Sequence, residues 1–82
     1  MVNSSMEKLK NAFVKVLGVG PDGNFESMAY GETQGWDSIA HMNLVAEIET
    51  AFDIMLATED VIGMRTFVKA KEIVARNGAS FA

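Results

Sequence analysis

Apolar residues recur at helical spacing in three stretches of this chain, and no stretch alternates as a strand would. Met6, Leu9, Phe13, Val16 and Leu17 share one face of a helix predicted over about Ser5 to Leu17. Leu44, Val45, Ile48, Ala51 and Phe52 do the same for a helix from Ser38 to about Phe52. Phe67, Ala70, Ile73 and Val74 mark a last helix over about Phe67 to Arg76. With 82 residues to fold, this pattern predicts one small all-α domain, residues 1–82, with a single thin core.

Local signals set the expected boundaries. Ser4 followed by Glu7 fits a capping box for the first helix, and Gly18 is a suitable stop. Thr66 is placed to cap the last helix, and Asn77-Gly78 to end it, leaving Ala79 to Ala82 as a frayed tail. A short third helix, about Glu59 to Gly63, can start at Thr58, with acids in its first turn that suit the helix dipole. Between the first two helices lies Gly18 to Trp36, which is glycine-rich and lacks a steady period. Connections this long are usually functional or disordered. Phe25, Met28 and Tyr30 can pin it to the core, so an ordered loop with a short turn is expected. The piece DGNFES within it does not make a calcium loop, because Ser27 and Thr33 stand where the sixth-position Gly and the twelfth-position Glu belong.

Charge is segregated along the chain. Every basic residue lies near an end: Lys8, Lys10 and Lys15, then Arg65, Lys69, Lys71 and Arg76. From Val16 to Met64 the only charged residues are acids: Asp22, Glu26, Glu32, Asp37, Glu47, Glu49, Asp53, Glu59 and Asp60. Such a middle repels phosphate backbones, which argues against nucleic acid, and attracts basic protein surfaces. No apolar run approaches the ~20 residues that span a bilayer, and MVNSSMEKLK lacks the apolar core of a secretory signal. A cytoplasmic monomer without membrane insertion is expected. The chain has no cysteine, hence no thiol of its own and no sulfur ligand for a metal.

The second helix has two apolar faces. Beyond its core side, Ile39, Met42 and Ala46 form another stripe, bordered by Ser38 and Glu49. This stripe either packs under the long loop or the last helix, or forms an exposed docking patch rimmed by acids. Methionine suits such patches because its side chain adapts to different shapes. Ser38 opens the helix, where backbone N–H groups and the positive end of the dipole point outward. Asp37 is the better capping residue, which frees Ser38 for another role.

Asp37-Ser38-Ile39 resembles the Asp-Ser-Leu (or Ile) motif of acyl carrier proteins and the related peptidyl carrier domains. Leu44 to Ile54, LVAEIETAFDI, looks like that family's second-helix ending, and Met64-Arg65-Thr66-Phe67 is similar to its approach to the last helix. The resemblance covers essentially the whole chain. It implies a four-helix bundle of acyl-carrier type, with three longer helices, a short third one, and a long loop between the first two. It also implies 4'-phosphopantetheine, taken from coenzyme A and attached to Ser38 by a phosphopantetheinyl transferase. The thiol this chain lacks would then arrive on the arm. Acyl groups held there as thioesters would pass to acyl-activating, acyltransferase or condensing enzymes with basic docking patches. Asp37, Ile39, Met42, Ala46 and Glu49 are the expected partner contacts. In such a role the carrier itself catalyses nothing and needs no metal.

The sequence departs from the fatty-acid-synthesis pattern, which usually has acids two and five residues after the serine. Ala40 and Asn43 stand there instead, with His41 between them and Trp36 before Asp37. Gly35-Trp36-Asp37-Ser38 looks more like specialised carriers, which implies dedicated partners. Other readings remain open on sequence. An aminoacyl or peptidyl carrier shares fold and motif. A helical module could dock a partner without modification. Ser38, His41 and Asp37 could belong to a hydrolase, although no Gly-x-Ser-x-Gly elbow is present. For a carrier of long chains, Met6, Met28, Met42, Met55 and Met64 would make the core deformable.

Overall fold

The structure is a computed structural model and describes residues 4–20 and 22–79. Its described residues form four α-helices: α1 (Ser4–Leu17), α2 (Ser38–Phe52), α3 (Thr58–Gly63) and α4 (Phe67–Arg76). One 3-10 turn, Phe25–Ser27, interrupts the long first connection. No strand forms among these residues, only an isolated antiparallel bridge between Ala29 and Thr66. The molecule is thus a small all-α domain with the helix order expected.

Most helix ends follow the local chemistry. Gly18 takes φ +72°, a left-handed conformation that is cheap only for glycine, and its N–H closes α1 on the Val14 carbonyl. The Asp37 carboxylate accepts the Ala40 N–H at 2.8 Å, and the Thr66 hydroxyl accepts the Lys69 N–H at 2.9 Å. At the end of α4 the Asn77 side-chain amide donates to the Ile73 carbonyl. One boundary differs by a residue. Helix α1 already includes Ser4, whose side chain lies outside the described residues, as does the tail from Ser80. Helix α3 starts at Thr58 and ends at Gly63, as the sequence indicates, with Ala57 at the cap position and no side-chain cap.

The buried faces are those the spacing indicates. Leu9 and Phe13 of α1, Leu44, Val45 and Ile48 of α2, and Phe67, Ala70, Ile73 and Val74 of α4 form one core. Phe25 and Met28 pin the long loop to it, and Tyr30 packs at its edge. Ala12 and Trp36 join them, outside the faces read from sequence. Phe13 lies at the centre of an aromatic chain, edge-on to Phe67 at 5.0 Å and to Trp36 at 5.2 Å. Such pairs add about 0.5–1.5 kcal/mol beyond area burial. The methionines divide. Met28 and Met64 are buried and Met6 is partly so, but Met42 and Met55 face solvent and do not belong to a deformable core.

Helix α3 is attached differently from the others. None of its residues is fully buried. Val61 packs partly buried against the core, and polar contacts add to its hold: Asp60 pairs with Arg76 of α4 at 3.1 Å, and the Val61 carbonyl is bonded to His41 of α2. Met64, just past its end, is buried and ties the following segment to the core.

Candidate functional site around Ser38

The long loop delivers the start of α2 in a fixed position. The Ala29 N–H donates to the Thr33 hydroxyl, the Thr33 N–H to the Ala29 carbonyl, and the Trp36 N–H to the Thr33 carbonyl. Gly31, at φ +81°, closes the knot by donating to the Trp36 carbonyl at 3.0 Å. The knot drives Trp36 inward until it is 1% exposed. Two residues later, Ser38 faces solvent.

Ser38 Oγ makes no hydrogen bond among the described residues, because the capping work is done by Asp37. The Asp37 carbonyl also accepts the His41 N–H at 2.8 Å. Nothing described accepts from the backbone N–H groups of Ser38 and Ile39, which remain as donors beside the hydroxyl.

His41 is occupied on both sides of its ring. The Trp36 indole N–H donates to His41 Nδ1 at 3.0 Å, and an indole can only donate. Nε2–H then donates to the Val61 carbonyl at 2.8 Å. The two rings are close to coplanar, 22° apart with centroids 6.1 Å apart, as an in-plane N–H···N bond requires. With both nitrogens engaged, neither is left to accept the Ser38 proton, so this geometry assembles no Ser–His–Asp relay.

The apolar stripe of α2 is open. Ile39 is 75% exposed and Met42 60%, and Ala46 also faces solvent. The stripe therefore packs under neither the loop nor α4. Ile62 of α3, at 62%, extends the apolar surface across the helix pair. A groove of ≈ 280 Å³ runs beside Ser38. Ser38, His41 and Met42 line it from α2 and Val61 and Ile62 from α3, with Tyr30 and Arg65 completing the wall.

Glu49, expected at the rim of this patch, has another task. Its carboxylate accepts the Leu56 N–H at 2.9 Å, while its carbonyl accepts from Asp53 and Ile54. It fastens the turn after α2, in which Asp53 takes φ +54°. Asp37 is likewise engaged as the cap, although its side chain remains exposed.

Sequence reasoning missed two pairs at the site. Trp36–His41 lies at a spacing of five, across the helix start, where no single-helix pattern links residues. Tyr30–Arg65 joins distant segments, with the guanidinium 4.7 Å from the ring centre. The lone tryptophan before a capping Asp was the only available signal for either.

Fold and site together define a class: a small all-α domain presenting an uncommitted serine hydroxyl at a helix start, beside an apolar groove. No protein-family model matches the chain. No helix among the described residues is long and apolar enough to cross a membrane.

Proposed function

We propose that the protein is an acyl carrier whose Ser38 bears 4'-phosphopantetheine. One observation carries the reading. The Asp-Ser-Ile serine is exposed, at the lip of a groove and unbonded among the described residues, while the residue before it does the capping. A serine capping the helix would accept a backbone N–H, and here Asp37 does that instead.

The residues fit the group. Backbone N–H groups of Ser38 and Ile39 are available to phosphate oxygens, and the groove offers an apolar wall to an arm. When bound, the group supplies a thiol for thioester formation, which a chain without cysteine cannot. Loading requires Ser38 Oγ to attack the pyrophosphate of coenzyme A. A new O–P bond forms, the P–O–P bridge breaks, the nucleotide half leaves, and the hydroxyl proton passes to a base of the transferase. The arm raises the effective concentration of its cargo at partner enzymes.

Ile39, Met42 and Ala46, with Ile62 beside them, form the apolar centre of the partner surface. Asp37 and other acids of the central segment meet basic patches on the transferase and on acyl-activating, acyltransferase or condensing enzymes. Ala40 and Asn43 remove two acids from that surface, which favours dedicated partners. A housekeeping ketosynthase that used this carrier as well as the cell's main one would remove the case for dedication.

Mass spectrometry tests the central claim. Incubation with coenzyme A and a broad-specificity transferase should add one phosphopantetheinyl mass, and Ser38→Ala should abolish the gain. No gain under any transferase would leave an unmodified docking module as the better account. Transfer of amino acids rather than fatty acyl groups onto the loaded arm would identify an aminoacyl or peptidyl carrier.

A further inference from the structure

We propose that Arg65 binds the phosphodiester on Ser38, fixing the direction in which the arm leaves the protein; this rests on the carrier reading above. The first support is isolation. Between Val16 and Met64 the chain has no cation, and Arg65 is the first basic residue after that gap. The fold brings it back to Ser38, since both line the same groove.

The second support is that Arg65 is held in place without being neutralised. Its carbonyl accepts the Tyr30 N–H at 2.7 Å, next to the Ala29–Thr66 bridge. Its guanidinium lies over the Tyr30 ring at 4.7 Å. Among the described residues no carboxylate pairs with it, whereas Lys15, Lys69 and Arg76 pair with Glu47, Glu72 and Asp60. A guanidinium held over a ring can still turn N–H groups outward, and its planar fork matches phosphate geometry.

A purely structural role is the competing account. A cation–π contact with Tyr30 has the same strength with or without a group on Ser38. The two roles differ in what loading does to Arg65.

The test uses the intact chain, loaded with coenzyme A and a transferase and checked by mass. On loading, solvent exchange of the Arg65 Nε proton should slow by ~10-fold or more, as a new charge-assisted hydrogen bond requires. The phosphorus NMR line of the loaded wild type should be displaced from that of loaded Arg65→Gln, and added salt should reduce the difference. Arg65→Lys keeps the charge but not the planar fork and should fall between them. It also serves as the comparison if Arg65→Gln does not fold. An unchanged exchange rate, or coincident phosphorus lines, overturns the assignment and leaves the carrier reading standing. A wild-type chain that accepts no arm overturns both.

Discussion

Trp36 and His41 are joined by a hydrogen bond of 3.0 Å that connects the end of the long loop to the first turn of α2. The imidazole carries the connection onward to the Val61 carbonyl of α3. Three segments around Ser38 are thus linked through one side chain.

This linkage has a measurable energy. Trp36→Phe removes the indole N–H and leaves part-buried Nδ1 without its donor, and should lower stability by about 1–3 kcal/mol. In a double-mutant cycle with His41→Phe the coupling should be ~0.5–3 kcal/mol. Urea unfolding followed by circular dichroism supplies the values. Strict additivity would mean that the bond holds nothing.

The cap and charge roles of Asp37 separate by substitution. Asp37→Ala should cost about 1 kcal/mol, whereas Asp37→Asn, an equally good cap, should cost little. If the carboxylate also meets basic partners, Asp37→Asn should slow transferase loading and lose its effect at high salt. Melting curves and loading rates on both variants distinguish these roles.

Exposure of Ile39 predicts a surface effect without a folding effect. Ile39→Ala should change stability by no more than ~0.5 kcal/mol. As the centre of an apolar contact, its loss should reduce the transferase kcat/KM by roughly tenfold, about 1.4 kcal/mol. Equal loading of the two proteins would move the docking surface elsewhere.

Asp53 ends α2 in the left-handed region, held by the Glu49 carbonyl. Asp and Asn tolerate this conformation and β-branched residues do not. Asp53→Asn should therefore be near neutral, while Asp53→Val should lose ~1–2 kcal/mol. Equal melting temperatures for the two variants would show that the turn readily adopts another conformation.

The helices were legible because each of the three longer ones carries its own apolar period, and α1 and α4 also carry their own stops at Gly18 and Asn77-Gly78. Leu44, Val45 and Ile48 can be assigned to the core from three-and-four spacing alone, and Phe67, Ala70, Ile73 and Val74 likewise. Ser38 stood out because Asp37 was the better cap, a local fact. Trp36 was not legible as core, since its burial depends on the knot from Ala29 through Gly31 to Thr33, which has no periodicity. The bond from the Leu56 N–H to Glu49 was not legible because Leu56 lies beyond the helix, past a left-handed turn that sequence does not announce at an Asp. The Tyr30–Arg65 pair required knowledge that the loop lies against the start of α4, a tertiary relation.

The chain has one tryptophan, and it stands two residues from Ser38, out of water and hydrogen-bonded to an imidazole. The molecule therefore contains its own optical gauge. A change that loosens the mouth of α2 will show as red-shifted, altered emission from a single source, so attachment at Ser38 and capture by a partner can be followed in real time without a dye.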